Sequence, residues 1–365
     1  MPRAHSATLS QLMFAAVAFI AAGQCSGEPR ACGYACCTFL PDCTSPVSMN
    51  CDCGGLYGLQ ISRKSMQQSL EDVQITNAQT VIIKTGAIFD LLSLKTFKMI
   101  DIAYLTVENE GLKLQDGANL RELRIHHVNT LKLLDTALSG YWHHDVRVSI
   151  QHVVKLNMYE AAFFFTSAPP GPSVELKNVR ELLASRNAFT AAIRQLSVVN
   201  VSMRWCSQRC FSGRVSHLEL IGVRITTALT QCVNGGEGWE KLTILHSEVL
   251  QVHTDALYGG IREVIINSTN ITRVEALGFH LNVTTLQIHA SAFQNLTSHG
   301  LDVLATKSFL MKNTTVGTLQ TSALTGVRVA NISSSEPSFA LYSRGTHRTS
   351  ETRVIGVRNR HTSLH

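Results

Sequence analysis

Beyond its first two dozen residues the chain has no apolar run long enough to cross a membrane as a helix. It has no phosphate-cradling glycine loop and no serine-nucleophile elbow, so the sequence offers nucleotide and serine-hydrolase chemistry no recognisable site. Charge is sparse, at 16% of residues. Cysteine is absent from a long central stretch: Cys25, Cys32, Cys36, Cys37, Cys43, Cys51 and Cys53 crowd the start, and only Cys206, Cys210 and Cys232 follow. No cofactor, metal or nucleic-acid partner is expected.

What is present at the start reads as an export signal. Leu9 to Ala22 is an apolar run behind Arg3, and Ala21-Ala22-Gly23 offers a small-residue cleavage site. Residues 1–23 are therefore expected to be a signal peptide, and the mature protein to be secreted, extracellular and without a transmembrane segment. In that compartment the cluster Cys32, Cys36, Cys37, Cys43, Cys51 and Cys53 reads as a disulfide framework, with Cys25 depending on the cleavage point. Zinc held by Cys36, Cys37, Cys51 and Cys53 is the weaker alternative, because the spacing lacks paired two-residue knuckles.

A repeat runs through most of the rest. Its template is an apolar residue, apolar at +2, small or β-branched at +5, apolar at +10, small at +14 and apolar at +15. Copies begin at Val73, Phe97, Leu123, Val148, Val174, Leu196, Leu218, Leu242, Val264, Leu286 and Phe309, 22 to 26 residues apart. The +14 position is always Ala, Gly or Cys, and the +15 position is always large and apolar, as in Ala188-Phe189 and Gly278-Phe279. A fixed period of this length with two-residue alternation predicts an all-β parallel solenoid of about eleven coils stacked about 4.8 Å apart. The expected organisation is a Cys-rich cap over 24–60, coils over 61–332 and a polar, basic tail over 333–365. Cys210 and Cys232 share the +14 position in adjacent coils, which predicts a bridge between them. Cys206 falls on an inward position and reads as an inert buried thiol.

The segments Ser185–Phe189 and Thr254–Leu257 resemble the closing motif of extracellular leucine-rich repeats, and the resemblance extends over residues 73–324. Where that family places its asparagine, this chain has Ala78, Ile102, Val128, Val153, Val179, Val201, Val223, Ser247, Thr269, Ser291 and Thr314. Valine cannot build an asparagine hydrogen-bond ladder. A closed coil lined by β-branched side chains fits better, and the chain is similar to right-handed parallel β-helices of the pectate-lyase type. The horseshoe is the alternative. The leucine-rich-repeat resemblance implies recognition, adhesion or immune sensing.

Seven Asn-x-Ser/Thr sites (Asn200, Asn267, Asn270, Asn282, Asn295, Asn313 and Asn331) lie in the second half and avoid inward positions. If occupied, they leave the first half as the more available surface. The Ala168–Pro172 insertion must be a surface excursion. The tail's five arginines against two glutamates suit either a solvated end or an acidic surface.

β-Helices often carry polysaccharide-cleaving enzymes, but this chain has no Asp-Asp pair, and its His299-Gly300 lacks the preceding glycine of the pectin-hydrolase motif. The outward acids (Asp101, Glu122, Asp145, Glu219, Glu263, Glu275) are scattered. Strand neighbours His126 and His127 are expected on opposite faces, unable to chelate one ion. The loop Gly140–His144 is the best local contact candidate, with Tyr141, Trp142, His143 and His144 as its ligand-binding residues. The reading is a secreted, non-catalytic binding scaffold for an extracellular protein or glycan. A polysaccharide-active enzyme and a matrix component are the alternatives.

Overall fold

The computed structural model describes residues 33–55, 58–63, 65–166, 171–236, 239–324 and 326–329. The expected signal peptide, Cys25, Cys32, Asn331 and the tail lie outside them, as does most of the proline insertion. The described residues form one all-β solenoid without a helix. Its opening strands are β1 (Cys37–Leu40), β2 (Ser48–Asp52), β3 (Gly58–Ile61), β4 (Asp72–Ile83), β5 (Thr96–Val107) and β6 (Glu122–Leu133).

The repeat register is the coil register. Val73 pairs with Phe97, Phe97 with Leu123, Leu123 with Val148 and Val148 with Val174, all in parallel. The series continues through Leu196, Leu218, Leu242, Val264, Leu286 and Phe309. One further coil precedes it: Met49 pairs with Val73, and Leu59 with Val81. The Cys-rich segment is thus both cap and first coil, and stacking begins at Ser48 rather than after residue 60. β1 lies antiparallel on β2 and covers its edge, tied by Cys36–Cys53 and Cys37–Cys51. Cys43 is also disulfide-bonded.

Each coil turns sharply at two residues with positive φ. The first sits at +4 of the template: Asn77, Asp101, His127, His152, Asn178, Asn200, Gly222, His246, Ser268, Ala290 and Asn313, with φ from 44° to 61°. Nine of the eleven are Asn, Asp, His or Gly, the types that enter the left-handed region most cheaply. The second corner, at +13, holds residues as unlike as Glu110, Thr136, Arg209, Gln231 and Leu277. Coil-to-coil backbone bonds hold it instead, such as Arg209 N–H to Gln231 C=O at 2.8 Å and Asp255 N–H to Leu277 C=O at 2.9 Å.

The small residue at +14 follows from this second corner. The +10 and +14 side chains converge on its inside. A Cβ added at Gly278 would lie 2.6 Å from Val274 Cγ1, and one at Gly300 would lie 2.7 Å from Leu296 Cδ1. The same convergence corrects the expected cysteine bridge. Cys206, at +10, is bonded to Cys232, at +14 of the next coil, with Cα atoms 5.4 Å apart. Cys210 is the buried free thiol, its pKa pushed far above the usual range by desolvation.

The interior is layered. Phe163, Phe189 and Phe211 stack with ring centroids 5.0 and 5.3 Å apart. Val233 ends the stack, and a cavity of about 30 Å3 lies beside it, bounded also by Leu257 and Phe279. One inward position escaped the template. Early coils bury Val81, Leu105, Leu131, Leu156 and Leu182 at +8, whereas later coils bury Met203, Ile225, Ile271 and Phe293 at +7. The pairing shifts register between Val179 and Ala184, where the two coil shapes meet. In the later coils the +5 column turns from valine to buried Ser247, Thr269, Ser291 and Thr314. Ser247 Oγ donates to Leu245 C=O and accepts from Val223 N–H, and Ser291 Oγ accepts from Thr269 N–H, so these hydroxyls join the corner backbones of neighbouring coils.

Two substitutions test this packing. Phe189→Ala should lower stability by about 3–5 kcal/mol, read from denaturant midpoints; a loss below about 1 kcal/mol would contradict the stacked core. Ala290→Asn, at an exposed left-handed corner, should raise stability by about 0.5–1 kcal/mol, and no gain would contradict the corner geometry.

Candidate functional site

The Gly140–His144 loop does not present an aromatic cluster. Trp142 has 0% exposure; its indole N–H donates to Ser139 C=O at 2.8 Å and its ring packs 4.8 Å from Phe165. Trp142 is a core residue because the loop folds back over the interior. Tyr141 is half-buried. His143 and His144 are exposed, with rings 4.4 Å apart, and His143 Nδ1 lies 3.0 Å from Asp145 Oδ1.

A larger recess lies over the +4 corner of the first coils. It is an open groove of about 770 Å3 lined by Gly54, Gly55, Asn77, Gln79, Asp101, His127, Asn129 and His152, with Ala78, Ile102 and Ala103 behind them. The left-handed residue creates it by changing which way the next side chain points. In β6, Ile125 and Val128 are buried, while His126 is half-buried and His127 exposed. Both histidines therefore face outward, not to opposite faces as plain alternation predicts. Their rings meet edge-on with centroids 6.3 Å apart.

Stacking turns the corner into a polar ladder. Asn77 Nδ2 donates to Asp52 Oδ1 at 3.0 Å. His127 Nδ1 is 3.3 Å from Asp101 Oδ1, and its ring is 4.9 Å from that of His152. Asn178 Nδ2 donates to His152 Nε2 at 3.0 Å, and Asn200 Nδ2 donates to Asn178 Oδ1 at 3.2 Å. The ladder stops at Gly222, where a Cβ would lie 2.6 Å from Asn200 Oδ1. His126 sits one residue before the corner, 3.2 Å from Ser149 Oγ. Burial, helped by the charges of Arg124, His127 and His152, holds its pKa below the ordinary imidazole value.

Exposed apolar groups stand close by: Tyr104, 53% exposed, follows the lining residue Ala103, and Val154, 45% exposed, holds the template position of Asn129 one coil on. Many outward acids are engaged between coils, as in Lys84–Glu108 at 2.6 Å, Lys241–Glu263 at 3.1 Å and His253–Glu275 at 3.0 Å. No cluster of three or more metal-ligating side chains occurs among the described residues. Of the six described glycosylation sequons, Asn200, Asn282, Asn295 and Asn313 are exposed and Asn267 and Asn270 half-buried. Asn200 and Asn313 occupy the +4 corner itself, and Asn267 and Asn270 flank it at Ser268.

The apolar template carries no trace of this ladder; its signal in the sequence is polar, with Asn77, Asp101, His127, His152, Asn178 and Asn200 recurring at the coil period. Comparison with known proteins adds no precedent: no family model, curated protein or solved structure matches this chain.

The depressed His126 value carries a pH consequence. The unfolded chain takes up that proton first, so its contribution to stability is present above about pH 6.5 and is lost as pH falls toward the folded value. His126→Gln should therefore lose less stability than the parent between about pH 7.5 and 5, measured by urea unfolding. Equal losses would contradict the assignment.

Proposed function

We propose that this protein is an exported, non-catalytic recognition scaffold that binds an extracellular protein or glycan in the groove over its first coils. One observation carries the reading: the same corner is an open polar groove from Gly54 to His152 and, in later coils, has sequons at or beside it at Asn200, Asn267, Asn270 and Asn313. Glycans are bulky and must project into water, so occupied sequons would crowd the later part of the corner and leave the groove bare. The disulfides in the first coil and between Cys206 and Cys232 fit an oxidising compartment. Long stacked surfaces of this kind suit extended ligands, and the groove sets hydrogen-bonding side chains close to the apolar groups of Tyr104 and Val154.

The test is an array of glycans and extracellular proteins probed with the secreted, glycosylated chain, with turnover of acidic polysaccharides followed in parallel. A saturable partner is expected, without turnover, and Tyr104→Ala combined with Asn129→Glu should weaken it at least about tenfold. Binding indifferent to those substitutions would place the surface elsewhere. Turnover would overturn the reading.

A further inference from the structure

The ladder contains one run of a single titratable type. His serves the left-handed corner as Asn, Asp and Gly do, and β6 and the next strand, Arg147–Met158, put His127 and His152 there in successive coils, with His126 beside them. Three imidazoles thus occupy adjoining positions along one wall, with successive ring centroids 6.3 and 4.9 Å apart. The hydrogen bonds assign them a neutral resting state at one point. Asn178 Nδ2 can only donate, so His152 Nε2 accepts and carries no proton, and Asn178 Oδ1 is already taken by Asn200.

Protonation breaks this arrangement. A proton on His152 Nε2 would face the Asn178 N–H groups, two donors with no acceptor between them, and His127 and His152 would become like charges one coil apart. The fixed charges along this wall nearly cancel. Asp52, Asp101, Glu122 and Glu175 oppose Lys98, Arg124 and Lys177, leaving one net negative charge with the histidines neutral and two net positive with all three charged. Arg124 and Lys98 are paired with Glu122, and Gln151 donates to Glu175 at 2.8 Å, while Asp101 Oδ1, 3.3 Å from His127 Nδ1, would meet the charge of that ring alone. An external acceptor placed between the two rings would meet the charge on His152 and share that on His127.

We infer that the groove is an acid-gated docking surface for a carboxylate-rich peptide segment of a partner protein, with a partner carboxylate bridging His127 and His152 once these are protonated. This rests on the reading of the groove as the binding surface. A peptide is favoured because exposed Tyr104, next to the lining residue Ala103, and exposed Val154, one coil beyond Asn129, suit a segment that alternates acidic and apolar side chains. Imidazole is the side chain whose charge changes between about pH 5 and 8, so the gate would operate in mildly acidic surroundings.

The test uses the full secreted chain and a fluorescent peptide alternating glutamate with leucine, with an alternating lysine–leucine peptide and an oligo-uronate as comparators. Binding is measured at about pH 7.4 and 5.5. The glutamate peptide should bind at least about tenfold more tightly at the lower pH. The double variant His127→Asn with His152→Asn, which keeps corner-compatible residues, should lose that gain while retaining the parent's unfolding midpoint at neutral pH. A pH gain that survives in this variant would overturn the inference, because the general basicity of the chain would then explain it. Equal affinity at both pH values, abolished by Tyr104→Ala with Asn129→Glu, would overturn the gating yet leave the groove as the binding surface. Preference for the oligo-uronate over the glutamate peptide would overturn the choice of partner, and absence of peptide binding at either pH would overturn the inference.

Discussion

Everything in this molecule depends on the parallel hydrogen bonding of each coil to the next while the chain turns at the same two residues every time. Backbone pairing in a solenoid is satisfied only by neighbours, so a misplaced corner would strand donors and acceptors over the following coils. The chain protects the first corner with residues that tolerate positive φ, from Asn77 through Asn313. The second corner has such residues in only some coils, at Gly86, Asn187, Asp255 and His299, and coil-to-coil backbone bonds enforce it even at Leu277 and Arg209. Local preference guides one corner and cooperative stacking imposes the other.

Packing and surface chemistry both descend from those corners. Convergence of side chains inside the second corner keeps +14 small and brings Cys206 to Cys232. The first corner interrupts alternation, so two consecutive residues face water, and stacking sets them in columns. In later coils the adjacent inward position carries buried hydroxyls that join neighbouring turns. In early coils it is apolar, and the groove lies outside it.

The solenoid was legible because burying a continuous core forces the same apolar positions in every coil, and from Val73 to Phe309 the register stands as the spacing implies. What was not legible arises from features that leave little apolar trace. The first coil, with Met49 and Leu59, was hidden by its cysteines and read as cap alone. The +8 to +7 change disrupts a fixed template. Cys210 and Cys232 share a position, but closeness in a column matters less than side chains converging around a turn. Trp142 looked exposed from its polar neighbours, whereas its ring fills the core and its N–H finds Ser139 C=O. The groove residues each had an ordinary explanation as surface polarity, and only stacking shows that they form one wall.

The coil register is the claim on which the groove, the ladder and the inferred partner surface all stand, and one covalent bond reports it. Peptide mapping of the unreduced protein, alkylated before and after unfolding, should recover a Cys206–Cys232 linked pair, with Cys210 alkylated only after unfolding. Recovery of Cys210 linked to Cys232, or of all three as free thiols, would contradict the account.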